Sequence, residues 1–503
     1  MTATTRLQHG HRQGAPAGAP PGRTPPGPSL WATPGLLRKL AVDAPAGAPP
    51  GRTPPGPSLW ATPGLLRKLA VDRLALMTTA ARYGDAVRLR IGPRSLYFFN
   101  HPDHAKHVLA DNSANYHKGI GLMQAKRALG DGLLTSEGEL WREQRRTVQP
   151  AFQNRRIALQ AGAVAAEAAA LVGRLRAREG RGPVDVLREM TGLTLGVLGR
   201  TLLDADLGPF RSLGHAFETV QDQAMFEMVS QGMVPTWVPL PKQLRFRRAR
   251  AELQRVVDRL VADRSTCPAG GDDALSRLIV SAREEADPRV GRKRLRDELV
   301  TLLLAGHETT ASTLGWTFHL LDRHPEVRDR VRAEARDVLG DRLPEYEDLH
   351  LLRYTAMVVE EAIRLYPPVW ILTRQALQDD EIGGYHVPAG SDVLVCPYTL
   401  HRHPAFWDAP ERFDPGRFDP ERRDDRPRYA YIPFGAGPRF CVGNHLGMME
   451  AVFVVAMVAR DLRLTGLPGH AVVPEPMLSL RVRGGLPMTV HPASRDWRAE
   501  SRG

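Results

Sequence analysis

A cysteine framed by glycines and an arginine is the most reactive arrangement in the sequence. In Phe434-Gly-Ala-Gly-Pro-Arg-Phe-Cys-Val-Gly443, Cys441 stands where a predicted helix begins, with Arg439 two residues before it. The unpaired N–H groups and positive dipole of a helix N-terminus favour a thiolate. Gly437 and Gly443 allow tight turns and the close approach of a flat ligand. The segment predicts an anionic sulfur ligand for a metal lying against the backbone; the alternative from these residues alone is a buried structural cysteine.

A second reactive segment, Ala305-Gly-His-Glu-Thr-Thr310, lies in the middle of a long predicted helix. Gly306 and Thr309 are three residues apart and share a helix face, where the glycine would leave room for a diatomic ligand and the hydroxyl could donate a hydrogen bond to it. The carboxyl group of Glu308 could deliver protons through water, as general acid–base catalysis requires. The alternatives are a small-residue patch in the core for Thr309 and a structural ion pair for Glu308. His307 is predicted to be exposed or in the core, because the zinc motif H-E-x-x-H would need a second histidine where the sequence has alanine.

A third set is predicted to be structural. Glu361 and Arg364 lie three residues apart on a predicted helix, and Arg412 lies on a later loop. Two cations that share one carboxylate can be buried together, and breaking such a set costs about 3–5 kcal/mol. We therefore expect these residues to support the structure and not to take part in catalysis.

Five segments together resemble the haem-thiolate monooxygenases, the cytochromes P-450. The pattern Phe434-x-x-Gly437-x-Arg439-x-Cys441-x-Gly443 resembles the family's haem-binding signature in full. Four further segments are similar to its W-x-x-x-R helix, oxygen-activation motif, E-x-x-R motif and arginine-bearing meander, in that order: Trp141–Arg145, Ala305–Thr310, Glu361–Arg364 and Pro410–Phe413. The resemblance covers roughly residues 60 to 495.

The resemblance implies a single, mainly α domain with a minor β part that holds haem b (iron protoporphyrin IX) with Cys441 as the proximal thiolate ligand. Such a ligand pushes electron density towards the iron and favours O–O cleavage. By the same resemblance, Glu361, Arg364 and Arg412 lock the meander that shapes the cysteine loop. The remaining cofactor-binding residues that it implies are Phe434, Gly437 and Gly443 in the loop, and Trp141, Arg145, Arg374 and Arg439 as donors to the haem propionates.

The resemblance also places a substrate pocket above the haem. Its predicted lining is apolar and adaptable, which favours a lipophilic substrate such as a terpene, polyketide, fatty acid or steroid. The stretch Pro367–Arg374 resembles terpene-oxidising actinobacterial members. The predicted pocket residues are Leu302, Ala305, Val369, Trp370 and Ile371, with Ile120, Leu122, Met123 and Leu372 beside them and Met225, Phe226, Met228 and Met233 as a roof.

The implied reaction inserts one oxygen atom of O2 into a lipophilic small molecule. Two electrons per turnover would come from NAD(P)H through a separate ferredoxin and ferredoxin reductase, or another flavin reductase, since the chain has no room for a fused one. We expect a monomer. Two alternatives are a peroxide-driven peroxygenase, against which the pair Glu308-Thr309 argues, and a haem-binding sensor without turnover.

The elements that must position these residues are predominantly helical in pattern. A helix is predicted over Arg73–Arg82, followed by a β-hairpin whose strands turn at Gly92-Pro93. Long helices are predicted near 137–154, 157–178, 185–204, 208–232, 241–264, 294–322, 325–339, 351–366 and 442–459. A strand- and loop-rich region follows Pro367, and a β-rich segment ends the chain.

An internal repeat marks the N-terminal region. Residues 15–43 and 44–72 are identical letter for letter and rich in proline and glycine, and the period does not continue. We predict an N-terminal extension over residues 1–58 whose first fifty or so residues are poorly ordered and dispensable. The haem domain is predicted over 59–495 and a tail over 496–503.

Composition sets the class of protein. Of 503 residues, 42% are hydrophobic and 25% charged, which is ordinary for a globular chain. The net charge of +12 comes almost entirely from arginine without a recognition motif, so we expect no nucleic-acid partner. Three scattered cysteines exclude a disulfide scaffold and suit the cytoplasm. The apolar run Ala451–Ala459 is too short for a membrane span, and none is expected.

Overall fold

Helices form most of the chain in the computed structural model, which describes residues 72–91, 94–207, 213–230, 234, 237–265, 273–422 and 426–493. This agrees with the expected mainly α fold. The helices are α1 Arg73–Tyr83, α2 Pro102–Lys106, α3 Leu122–Leu129, α4 Gly138–Val148, α5 Asn154–Arg176, α6 Val186–Leu198, α7 Leu213–Val229, α8 Pro241–Ser265, α9 Ala274–Arg283, α10 Pro288–Arg323, α11 Pro325–Leu339, α12 Arg353–Leu365, α13 Pro397–Leu400 and α14 Asn444–Asp461. A π-helical turn, Gly199–Leu203, extends α6, and another, His107–Asp111, extends α2.

The strands form small sheets at the side of the helices. The largest has the order β1-β2-β8-β5-β3, and the others pair β4-β12-β9, β6-β7 and β10-β11. Their bounds are β1 Ala86–Ile91, β2 Arg94–Phe99, β3 Tyr116–Lys118, β4 Val184–Asp185, β5 Leu372–Ala376, β6 Asp380–Ile382, β7 Tyr385–Val387, β8 Asp392–Val395, β9 Leu462–Gly466, β10 Pro474–Pro476, β11 Leu480–Val482 and β12 Pro487–Pro492.

The predicted hairpin is present. Strands β1 and β2 pair antiparallel, with Val87 opposite Phe98 and Leu89 opposite Leu96. All four side chains are buried, so the alternating apolar residues of both strands face the same hydrophobic core. The predicted turn at positions 92 and 93 lies outside the described residues.

The central helix, α10, is longer than predicted. It begins at Pro288, six residues before the expected start, because the Asp287 side chain accepts a hydrogen bond from Arg289 N at 2.8 Å and proline suits the first helical position. The arginines that follow hide the apolar periodicity of this first part. Helix α9 was not predicted at all, although Asp273 caps it in the same way.

Helix α10 runs through the interior and packs on α6, α12 and α14. Its residues from Leu299 to Leu304 and from Thr310 to Phe318 are buried. Helix α14 is buried almost throughout, from Met449 to Arg460. These two helices therefore fix the middle of the molecule, where the two reactive segments lie.

The N-terminal repeat and the extension that it suggests lie outside the described residues, and the predicted domain bounds stay a prediction. In the described part of the chain, one helix, α5, is long and apolar enough to cross a membrane by length and composition. The core helices of soluble proteins pass the same test.

Candidate active site

A cavity of about 460 Å³ separates α10 from the cysteine loop, residues 433–443. Further walls come from α1, α4, β5, the end of α6 and the start of α14. A cavity of this size is typical of small-molecule sites. The predicted site residues that line it are Trp141, Arg145, Leu302, Ala305, Glu308, Thr309, Val369, Trp370, Ile371, Arg374, Phe434, Arg439, Cys441 and Gly443.

Cys441 precedes α14 by three residues, and its accessible surface faces the cavity. Its backbone N–H donates to the carbonyl of Phe434 at 3.0 Å, which closes the loop. Burial raises the pKa of the Cys441 thiol, while a hydrogen bond from the backbone of Gly443 and the charge of Arg145 oppose that rise. A metal cation on the sulfur would reverse the balance and hold it as thiolate.

Glycine is required at position 437 for the expected tight turn and for a close contact that was not expected. Gly437 has φ +67°, and a Cβ there would collide with the carbonyl of Leu109. It therefore shapes the cysteine loop by packing on the π-helical turn after α2, and it does not line the cavity. Gly443 does line the cavity, and a Cβ added there would lie 3.5 Å from the ring of Phe152.

Three buried or half-buried cations surround one side of the cavity, and we call them the cationic cluster: Lys118, Arg374 and Arg439. Arg439 forms an ion pair with Glu137 and lies over the ring of Trp141, at 4.4 Å from its centroid. Lys118 donates to the carbonyl oxygens of Leu133, at 2.9 Å, and Leu134.

Among the described residues, only Arg439 of the cationic cluster forms an ion pair, with Glu137, so positive charge is in excess there. Burial lowers the pKa of Arg374 to about 10, and Arg439 adds to that effect by repulsion. Burial and the same repulsion hold the pKa of Lys118 well below its usual range. Within the described part of the chain, Arg374 makes a hydrogen bond to the carbonyl of Thr373 but no ion pair. Buried cations of this kind call for an anionic ligand in the cavity.

The donor set therefore fits a haem group. A cysteine faces one wall, and arginines and a lysine suited to carboxylates stand at one side of the same cavity. Apolar side chains such as Leu302 and Phe434 form much of the remaining wall. Arg145 lines the cavity, and one of its terminal nitrogens donates to the carbonyl of Phe440 at 2.7 Å and so supports the cysteine loop. Its role as a propionate donor stays a prediction.

The reactive segment of α10 faces the cavity through Ala305, which is exposed to it. The hydroxyl of Thr309 donates to the carbonyl of Ala305 at 2.9 Å, so both lie on the turn that lines the cavity. Gly306 also lines the cavity, and the space left by its missing side chain is taken by Leu198 of α6, with which a Cβ would collide. Its role towards a diatomic ligand stays a prediction. The glycine lets α6 and α10 pack closely, and Ala305 supplies the small side chain on the cavity side.

Glu308 is held by two side chains that the sequence did not single out. Ser479, just before β11, donates to its carboxylate at 2.6 Å, and Gln221 of α7 is a second hydrogen-bond partner. Burial raises the pKa of Glu308, while these two hydrogen bonds and the charge of Arg481 oppose the rise. Glu308 is therefore a positioned acid beside the cavity, and among the described residues it does not form the ion pair considered as its alternative role.

His307 lies in the core, as one of the two expected outcomes. Its ring contacts Phe217 with centroids 4.9 Å apart, and its Nδ1 donates to the carbonyl of Leu303 at 2.5 Å. Burial lowers its pKa to about 4. The side chain is therefore neutral and structural.

The charged support set has a different second arginine from the one predicted. Arg364 donates to both carboxylate oxygens of Glu361, at 2.6 and 2.8 Å. The second cation is Arg417, whose Nε lies 3.4 Å from Glu361 Oε1. Arg412 is exposed and pairs with Asp414 at 2.7 Å, because its side chain points away from α12. Arg412 contributes only its carbonyl, which accepts from Arg364 at 3.1 Å.

The substrate side of the cavity is largely apolar. Ile120, Leu122, Leu372 and Met225 line it as predicted, whereas Met123 is 41% exposed and does not. Position 233 and the side chain of Met228 lie outside the described residues. Sequence reasoning missed Leu198, which reaches the cavity from α6, and Lys118. A buried lysine in a short strand gives no periodic signal, and Leu198 looks like any apolar helix residue.

Comparison with known proteins agrees with this site. The family model described as Cytochrome P450 matches residues 50–487. The cyclooctatin synthase of Streptomyces melanosporofaciens is 38% identical over 81% of this chain and 89% of its own length. The cyclooctat-9-en-7-ol 5-monooxygenase of the same organism is 36% identical over 83% and 91%. The pentalenene oxygenase of Streptomyces avermitilis is 32% identical over 80% and 89%.

Proposed function

The chain belongs to the cytochrome P450 family, and from that premise we propose that it oxidises a terpenoid at the cavity between α10 and the cysteine loop. As a haem-thiolate monooxygenase it inserts one oxygen atom of O2 into a lipophilic molecule. The observation that carries the assignment is that Cys441 and the pair Glu308-Thr309 line the same cavity.

The residues of this cavity would hold haem b as follows. Cys441 would supply the thiolate ligand, Phe434 and Gly443 would lie against the ring from the cysteine loop, and Arg374 and Arg439 would donate to the propionates. Trp141 supports Arg439 through its ring. Lys118 of the cationic cluster would be a further propionate donor. The bound haem supplies the activation of O2.

Two side chains of α10 deliver the protons that the reaction consumes. Thr309 offers its hydroxyl to the cavity once it releases the carbonyl of Ala305, and Glu308 is the acid that replenishes the proton. Ser479 and Gln221 keep the Glu308 carboxyl group in place beside the cavity.

The substrate class follows from the apolar wall and from the relatives. Val369, Trp370, Ile371 and Leu302 present hydrocarbon surface to the cavity, which suits a terpene skeleton. The relatives named above include a cyclooctat-9-en-7-ol monooxygenase and a pentalenene oxygenase. We extend that substrate class to this chain.

Electrons are proposed to come from NAD(P)H through a ferredoxin and its reductase, delivered to a cytoplasmic monomer. The chain carries net charge +12, which would attract an acidic ferredoxin. The wide spacing of its three cysteines suits a reducing compartment.

The test is the carbon monoxide difference spectrum of the reduced, haem-loaded protein. We expect the red-shifted Soret band that gives the family its name, and we expect Cys441→His to abolish that band and turnover while the protein stays folded by circular dichroism. Cys396→Ala is the matched control, since Cys396 is buried away from the cavity and bonds to the carbonyl of Trp370. A folded Cys441→His protein that keeps the band would contradict the ligand assignment.

A further inference from the structure

A buried guanidinium lies on the cavity wall formed by α1 and the segment around β10. Arg73, the first residue of α1, is 8% exposed and lines the same cavity as Cys441. One of its terminal nitrogens donates to the carbonyl of Pro476 and lies 3.7 Å from the sulfur of Met477. Its Nε has no hydrogen-bond partner in the described structure. The side chain therefore keeps an unused donor.

The surroundings of Arg73 are poor in negative charge. Leu76, Met77 and Met477 line the cavity beside it. Burial lowers its pKa, and the charge of Glu475 opposes that effect. Glu475 is already paired with Arg481 at 2.9 Å, and Arg73 forms no ion pair within the described residues. Arginine remains charged in proteins, so a buried cation here is left to be satisfied by something else.

Two polar side chains beside this wall are occupied. The hydroxyl of Ser479 is bound to Glu308, and that of Thr309 is bound to the carbonyl of Ala305. The hydroxyl of Thr373 on β5 also lines the cavity and has no hydrogen-bond partner in the described structure, but it carries no charge. Arg73 therefore brings a positive charge and an unpaired donor nitrogen to the wall formed by α1 and the segment around β10, on different elements from the cationic cluster.

We propose that Arg73 anchors an oxygen atom of the substrate, so that the enzyme acts on a lipophile that is already oxygenated, with an alcohol or carboxylate group. The inference rests on the proposed function, because it assigns the substrate class of the same cavity. A hydrogen-bond acceptor at Arg73 would fix one end of an otherwise apolar molecule and so select which carbon lies near the haem. The reaction that supplies this substrate must then leave an alcohol or carboxylate group on the hydrocarbon skeleton, as an oxidation or a hydrolysis does.

The experiment measures binding of decane, 1-decanol and decanoate to the haem-loaded full chain by equilibrium dialysis with radiolabelled probes. These chains are flexible, so cavity shape does not distinguish them. In Arg73→Met we expect binding of 1-decanol and decanoate to weaken about 10-fold or more relative to decane, because a hydrogen bond to a charged group is lost. Arg73→Lys should retain part of the preference for decanoate. Its matched control is Arg332→Met, since Arg332 is 9% exposed on α11 and does not line the cavity.

The two oxygenated probes separate the two sources of the anchor oxygen. Weaker binding of both 1-decanol and decanoate to Arg73→Met supports an acceptor that alcohols and acids share. Weaker binding of decanoate alone narrows the substrate class to acids. Equal weakening of all three probes, no change, or no binding of any probe to the wild type overturns the proposal. If Arg73→Met does not fold, the Arg73→Lys variant tests the proposal instead. We then expect a partial loss of the preference for decanoate over decane. The carbon monoxide spectrum is read separately, so a failure of the proposed function is distinguishable from a failure of the anchor.

Discussion

Single residues in this protein take their roles from partners far away in sequence. Glu361 accepts two hydrogen bonds from Arg364 and one from the backbone N–H of Asp414 at 2.9 Å, and it is fully buried. The second cation beside it is Arg417, and Arg412 lies at the surface. Both arginines occur in the same short segment, and only the path of the chain decides which of them turns inwards.

The first prediction concerns this pair of arginines. Arg417→Gln should lower the free energy of unfolding by about 2–4 kcal/mol, because Glu361 loses a buried cation but keeps Arg364. Arg412→Gln is the matched control and should change it by less than about 1 kcal/mol, since an exposed ion pair contributes little. Urea unfolding of the haem-loaded proteins measures both. Equal losses in the two variants would refute the assignment of Arg417.

At the scale of elements, the close packing of α6 on α10 sets the shape of the cavity. Gly306 lets Leu198 approach the backbone of α10, and Leu198 also reaches the cavity. Ala305 and Gly306 both line the cavity on this turn. The packing of two helices therefore decides how much of the space beside Gly306 is filled by Leu198.

We expect Gly306→Ala to destabilise the protein by about 1–3 kcal/mol, because the added methyl group collides with Leu198. Combining it with Leu198→Ala should make the two losses less than additive, since the smaller side chain makes room. Gly192→Ala in α6 is the control, because a Cβ there meets nothing within 4 Å. A double-mutant cycle from thermal unfolding tests this. Strict additivity would mean that the two residues do not compete for space.

At the scale of the whole molecule, α10 also joins the substrate side to the cysteine loop. Glu298 accepts a hydrogen bond from Leu133 N at 2.9 Å, and the neighbouring Leu134 carbonyl accepts from Lys118 of the cationic cluster. The same loop ends at Glu137, which pairs with Arg439. A buried acid in α10 is thereby linked through one loop to the cations beside Cys441.

The burial of Glu298 is expected to make global stability depend on pH. Burial raises the pKa of Glu298 from 4.5 to about 7, with Asp297 adding to the rise and Lys118 opposing it. Between about pH 4.5 and 7 the unfolded chain has lost this proton while the folded chain still binds it, so stability falls as pH rises, by up to about 3 kcal/mol. Above about pH 7 this contribution is constant.

Glu298→Gln should therefore flatten the fall in stability between pH 5 and 7, because glutamine keeps an acceptor for Leu133 N and cannot ionise. Denaturant midpoints at a series of pH values provide the measurement. Glu284→Gln, at an exposed position after α9, should leave the slope unchanged. An unaltered slope in Glu298→Gln would show that another group carries the pH dependence.

The sequence by itself determined the family and the helical architecture, and it singled out Cys441, Glu308 and Thr309 as the candidate reactive residues, because those depend on local spacing. Helix periodicity, proline stops such as Pro325 and the pattern around Cys441 are all short-range signals. The sequence does not predict helix α9 or the start of α10, because their caps are single aspartates within charged stretches.

Tertiary structure alone decided which side chains meet. Ser479 reaches Glu308 from 171 positions away. Lys118 on β3 lies opposite Arg374 on the neighbouring strand β5, and Arg439 joins them from the cysteine loop. Arg73 becomes a buried donor only because α1 packs beside β10. Such contacts depend on how helices and strands pack in three dimensions, and no spacing along the chain encodes them in a readable form.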